Sequence, residues 1–167
     1  MSEKIPQPDK APADAESVVK NVRERYGAFA TAGTSCCGPQ TASCCATGDV
    51  ATNLGYDAVD LDLLQDGANL GLGCGAPLEH LELQEGETIV DLGSGAGIDA
   101  LIAARKVGTD GQVIGVDMTP EMLAAARRNA ESAGVEQVDF REGRLEDLPV
   151  DDASVDAVTS NCVINLV

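Results

Sequence analysis

The sequence predicts an α/β fold: a doubly wound, mostly parallel open sheet preceded by a helical, cysteine-rich extension. Three observations carry this. From Glu87 onward, short β-branched runs alternate with amphipathic helical runs through short connections, a pattern that builds parallel sheets with right-handed crossovers. A glycine cluster, "VDLGSGAG", stands between the first strand and first helix of that series. Ahead of it lie one long periodic helix and the stretch "TAGTSCCGPQTASCCATGDV", which has no hydrophobic period.

In chain order, residues 1–13 are Pro-rich and polar and predict a disordered tail. "DAESVVKNVRERYGAFA" then places Val18, Val19, Val22, Tyr26 and Phe29 at helical spacing, with Asp14 as N-cap and Gly33 beyond the end. The cysteine loop occupies 31–50. Residues 51–82 are mixed, with short helical patches at "DAVDLDLL" and "PLEHLEL" around the Gly-rich "GANLGLGCGAP". "ETIVDLG" is the first strand and "AGIDALIAARKVG" an amphipathic helix. "GQVIGVDM" is the second strand, and "TPEMLAAARRNAESAG" a helix with Thr119 at N-cap and Pro120 at N1. "EQVDFREG" is the third strand and "SVDAVTSNCVINLV" the fourth. Open α/β sheets ordinarily continue past four strands, so the sheet is expected to be truncated there. The chain length of 167 suits one compact domain, divided as a tail (1–13), a helical cysteine-rich segment (14–85) and the sheet (86–167).

Composition narrows the function classes. Lys and Arg number 11 against 28 Asp and Glu, a formal net charge of −17. Such a surface repels phosphate backbones and anionic membranes, which argues against nucleic-acid or membrane partners. It also suits a protein kept soluble in concentrated salt. Aromatic residues make up 2% and Trp is absent, so Val, Leu, Ile and Ala must fill the core. The N-terminus has no apolar signal region and no 18-residue apolar run occurs. The expectation is a cytoplasmic protein whose six cysteines are thiols rather than disulfides.

Gly93, Gly95 and Gly97 let the backbone turn tightly and approach a ligand, and the helix that follows presents free N–H groups. Asp117 ends the second strand, where a carboxylate can accept ribose hydroxyls. Dinucleotide folds write G-x-G-x-x-G, whereas this loop is G-x-G-x-G with an acid, Asp91, inside the strand before it. A carboxylate there suits a ligand carrying ammonium or sulfonium, which points to S-adenosylmethionine on a Rossmann-like sheet.

Through "DLGSGAG", "GVDMTPEML" and "SNCVINLV" the chain resembles class I S-adenosylmethionine-dependent methyltransferases. More narrowly it resembles the arsenite methyltransferases, through "YGAFA" before a cysteine-rich loop, "GLGCGAP" before the first strand, and "SNCVINL". The resemblance covers roughly residues 18–167. It implies cofactor contacts at Asp91, Gly93, Ser94, Gly95, Gly97, Asp117, Met118, Leu145, Glu146 and Asn161. It implies arsenic held by Cys74, Cys162 and a loop cysteine, with Cys44 or Cys45 favoured by spacing over Cys36 and Cys37. Arsenite or its thiol conjugates would be the substrate, and a glutathione- or thioredoxin-type reductant would keep the thiols reduced. Family members continue with further strands and another thiol that this sequence does not contain.

The chemistry agrees with the residue types. Trivalent arsenic is soft and prefers thiolates; three of them leave its lone pair exposed to attack a sulfonium methyl. No proton need leave, so no general base is required, and His80 is the single histidine. Each residue also has a plainer reading. Cys162 could be core packing. The adjacent cysteine pairs could bind zinc, although zinc sites favour C-x₂₋₄-C spacing. His80 reads as a surface or core residue, and Met118 to Met122 as the start of a helix. A methyltransferase with a different acceptor, or a non-catalytic thiol module that sequesters arsenic or a metal, stands as the alternative to arsenite methylation.

Overall fold

The computed structural model describes residues 15–32, 52, 55–57, 60–61 and 75–164. Helix α1 (Ala15–Ala32) matches the predicted helix. A short 3-10 turn, Pro77–His80, leads into the sheet. Strands β1 (Thr88–Leu92), β2 (Gln112–Asp117), β3 (Val138–Glu142) and β4 (Ala157–Ser160) follow, with α2 (Ile98–Val107) after β1 and α3 (Pro120–Ala133) after β2.

All pairings are parallel and the strand order is β3-β2-β1-β4. The chain steps outward from β1 through β2 to β3, then crosses back to lay β4 on the other side of β1. Strand order therefore reverses between β1 and β4, and the crevice beyond their carboxyl ends is where open α/β sheets bind ligands. Register places Leu92 beside Ser160, so the glycine loop and the chain after β4 emerge together.

Alternation along the strands sorts the core into two faces. Ile89 and Val113 face Leu101, Ile102 and Val107 of α2 and Leu123 and Ala126 of α3. Val90, Ile114 and Val116 form the opposite face with Val150 and Val155 from the crossover to β4. Small residues do much of this work: Ala100, Ala103 and Ala104 have no exposure and bring α2 close to the sheet. Helix α1 lays Tyr26, Phe29 and Ala30 against Ala96, Met122 and Ala125, covering the glycine loop and the start of α3. Its Arg23 reaches Glu142 at the end of β3, 3.1 Å away.

The fourth strand is shorter than the predicted 154–167. It ends at Ser160, and Cys162 takes a left-handed backbone with φ of +58°. The run from Val158 to Val163 has strand composition, but the hydrogen bonds of Asn161 described below turn the chain out of the sheet. Thr119 stands at the N-cap of α3, yet its side chain makes no capping bond; Asp117 takes its N–H instead.

Candidate cofactor and thiol site

The site is built from the carboxyl ends of β1, β2 and β4. After Leu92 the chain turns through Gly93, Gly95 and Gly97, at φ of +71°, +53° and +94°. The N–H groups of Gly93 and Ser94 both donate to the Val116 carbonyl, at 2.7 and 3.0 Å, which ties the loop to β2. Gly93 is required by packing as well as by backbone, because a Cβ there would collide with the Val163 side chain. Gly95 differs: a Cβ there would meet nothing within 4 Å among the described residues.

Asp117 closes the loop from the other side. One of its oxygens accepts the Gly95 N–H at 2.9 Å and the other accepts the Thr119 N–H at 2.8 Å. Burial still holds its carboxyl above the usual range, with those hydrogen bonds and the Arg23 charge opposing the shift.

Asp91 is 1% exposed, and its Oδ2 has no partner among the described residues. Burial pushes its carboxyl well above the ordinary carboxylate range, and the charges of Asp99 and Asp117 push it further. The Ala100 N–H offsets this only in part. Ser94, also buried, has an unpartnered Oγ among the described residues. With Thr159 Oγ1, whose residue pairs with Asp91 across the sheet, these are buried oxygens without a partner among the described residues, and each costs about 1–3 kcal/mol unless a ligand or water pairs with it. A cationic ligand would satisfy Asp91, and one with vicinal hydroxyls would suit Asp117.

Behind the loop lies a second cluster. Asp99, in the first turn of α2, is 4% exposed and accepts the Tyr56 hydroxyl at 3.0 Å. Asn161, the residue after β4, places Nδ2 3.0 Å from Asp99 Oδ2, 3.0 Å from Tyr56 Oη and 2.7 Å from the Gly75 carbonyl. Burial raises the Asp99 carboxyl, against the hydrogen bonds from Asn161 and Tyr56. It also raises the Tyr56 hydroxyl, with the Asp99 charge adding to it, so Tyr56 keeps its proton. Cys162 follows at the wall of a cavity of about 450 Å³, lined also by Gly55, Gly75, Pro77, His80 and Asn161.

A family model described as a methyltransferase domain matches residues 83–167. The chain belongs to that methyltransferase-domain family. It is 49% identical over 165 residues to the arsenite methyltransferase of Halobacterium salinarum, covering 93% of this chain and 42% of that protein. It is 31% identical over 166 residues to the arsenite methyltransferase of Mus musculus, covering 94% of this chain and 43% of that protein. The chain thus spans less than half the length of these curated relatives. Among solved structures it resembles an arsenic(III) S-adenosylmethionine methyltransferase from Chlamydomonas reinhardtii, with 33% identity and a TM-score of 0.51, over 72% of this chain and 40% of that one.

Within this methyltransferase domain, Asp91, Gly93, Ser94, Gly95, Gly97 and Asp117 are brought together as one loop-centred cluster, and Met118 follows, half-buried. Leu145 and Glu146 lie in the connection after β3. Glu146 is exposed and accepts a hydrogen bond from Arg144 at 2.8 Å, which lowers its carboxyl, and it makes no hydrogen bond to the loop cluster. Asn161 stands in the second cluster, bonded to α2 rather than to the glycine loop.

Cys36, Cys37, Cys44, Cys45 and Cys74 fall outside the described residues. Cys162 is disulfide-bonded in this structure, where the sequence leads one to expect a thiol. Cysteines close enough to share one soft ion are close enough to pair covalently. His80 is exposed, at the cavity rim. Tyr56 and Asp99 also belong to the site, and the sequence marks them only weakly. The signal for Asp99 was an acid on the buried side of an apolar helix, two residues past Gly97; Tyr56 had none beyond being one of two tyrosines. No helix among the described residues is long and apolar enough to cross a membrane.

Proposed function

We propose that the chain carries the cofactor half and the arsenic-binding segment of an S-adenosylmethionine-dependent arsenite methyltransferase. Residues 86–167 hold the cofactor and residues 14–85 contribute thiols. The observation that carries this reading is the placement of Cys162. It lies two residues past β4, on the wall of the cavity, and the residue after it, Val163, lies against Gly93 of the glycine loop. A soft-ion ligand thus stands one residue from a direct contact with the cationic-ligand loop.

S-adenosylmethionine, when bound, supplies an electrophilic methyl that the lone pair of thiolate-held arsenic can accept. The residues of the chain bind and orient. Asp91, short of donors, favours a positive group before the loop, and Asp117 offers oxygens to hydroxyls. Gly95 leaves room for close approach. Cys162, with Cys74 and a loop cysteine such as Cys44 or Cys45, supplies thiolates once reduced, since a disulfide sulfur offers no thiolate. A glutathione- or thioredoxin-type reductant is the corresponding partner, and the cytoplasm the corresponding compartment. Holding both reactants in one crevice accounts for catalysis by proximity rather than by acid–base groups.

Calorimetric titration of the reduced chain with arsenite and with S-adenosylmethionine tests the reading, with Cys74→Ser and Cys162→Ser beside the wild type. The expected result is arsenite uptake near one per chain, weakened by both substitutions, while cofactor affinity survives. Cofactor binding without arsenite uptake would assign a different methyl acceptor. Arsenite uptake without methylarsenic product would make this chain a sequestering segment.

A further inference from the structure

Asn161 joins parts of the chain that are far apart in sequence. Its Nδ2 contacts Gly75, the residue after Cys74, while its own backbone leads directly into Cys162. The same Nδ2 meets Asp99 Oδ2 and Tyr56 Oη, and the Tyr56 hydroxyl donates to Asp99 Oδ1. One amide nitrogen has two hydrogens for these three acceptors, so one hydrogen is shared. Tyr56 and Asp99 are 6% and 4% exposed and lie behind the cavity wall. Asn161 itself is half-buried at the cavity wall, so its bonds to these buried partners lie where the local dielectric is lower than at an open surface. On the other side, Val163 lies against Gly93, and Cys162, itself disulfide-bonded, holds a left-handed φ of +58° between these two anchors. A non-glycine residue adopts that backbone at a cost of about 1–3 kcal/mol, and only when its surroundings over-determine it.

We infer that Tyr56 and Asp99 are positioning residues: through Asn161 they lock Gly75 and Cys162 onto the first turn of the cofactor helix. They thereby set where the thiol of Cys162 stands relative to the glycine loop. The inference deepens the proposed function and rests on it for the identity of the thiol-bound substrate. The geometric lock itself does not depend on arsenic. Tyr56→Phe removes the hydroxyl that bridges Asp99 and Asn161. Asp99→Asn keeps the shape but leaves one acceptor oxygen where two were used, so the side chain can no longer accept from both Tyr56 and Asn161.

The test uses the full reduced chain and three readouts: iodoacetamide labelling of Cys162 followed by peptide mass spectrometry, calorimetry with arsenite and with S-adenosylmethionine, and thermal melting. In both variants Cys162 should label about tenfold faster, as expected for losing one buried hydrogen bond to a charged group. Arsenite affinity should fall by a similar factor, while Tyr56→Phe leaves cofactor affinity within about threefold. A merely structural role would instead weaken cofactor and arsenite together with the melting temperature. Labelling at the wild-type rate in a folded variant overturns the inference. Should Tyr56→Phe fail to fold, the near-isosteric Asp99→Asn decides it. If wild type takes up no arsenite, the arsenic reading falls, while the labelling rates still decide the lock.

Discussion

The Nδ2 of Asn161 lies 2.7 Å from the carbonyl oxygen of Gly75, across 86 residues of sequence. That bond places the end of the last described strand against the segment that precedes the first. Replacing Asn161 by Leu leaves the Gly75 carbonyl and the Asp99 carboxylate short of a buried donor. The expected cost is about 2–3 kcal/mol, read as a lower urea midpoint with unchanged slope. A loss below the error of the titration would mean that the amide is not holding these segments together.

The loop glycines should separate stability from binding. At Gly93 a methyl meets Val163 in a left-handed backbone, so Gly93→Ala should cost about 2–4 kcal/mol. At Gly95 a methyl meets nothing within 4 Å among the described residues. Gly95→Ala should therefore cost only about 1–2 kcal/mol of backbone strain. Its methyl would still project into the space where the cofactor approaches, so S-adenosylmethionine affinity should collapse. Denaturation and calorimetry on both variants check this, and equal effects on stability and binding would contradict it.

The buried carboxyls predict a pH dependence with a definite sign. Asp91, Asp99 and Asp117 are all raised, chiefly by burial. The native chain therefore holds protons that the unfolded chain has released, from about pH 4, the ordinary carboxylate value, up to the raised native values. Their contribution to stability is fully present below that window and is lost as pH rises through it. A cationic cofactor favours the ionised carboxyls, so S-adenosylmethionine binding should release protons and tighten as pH rises. Calorimetry in mildly acidic buffers of different ionisation enthalpy measures the release; proton uptake on binding would reverse the assignment.

Salt offers an independent check on the surface. With a net charge of −17, self-repulsion opposes compaction. Screening shortens from about 10 Å at 0.1 M to about 3 Å at 1 M ionic strength. The melting temperature should rise over that range. The exposed Arg23–Glu142 pair should contribute less than about 1 kcal/mol, so Arg23→Ala should not change the trend.

Much of this was legible in the sequence. The four strands, the helices after β1 and β2, the N-terminal helix and the glycine loop with Asp91 and Asp117 follow from local periodicity and turn chemistry. Those signals act between neighbours along the chain. Three features were not legible for the same reason. The run 154–167 has strand composition throughout, but whether it stays extended depends on what captures the Asn161 side chain. Asp99 is an acid among the apolar positions of its helix, and nothing local says what it bonds until Tyr56 and Asn161 are found around it. Cys162 likewise reads as a thiol until a second cysteine is brought within reach.

The sequence by itself determined the elements, their parallel pairing and the identity of the cofactor loop, because hydrophobic period and glycine placement are local properties. Only the tertiary structure decided that β4 lies beside β1 rather than beside β3. That reversal opens the crevice, brings Asn161 to Asp99 and Gly75, and sets Val163, the residue after Cys162, against Gly93 of the glycine loop. Strand order and side-chain partners across tens of residues are chosen by which faces can be buried together, and no local pattern encodes that choice.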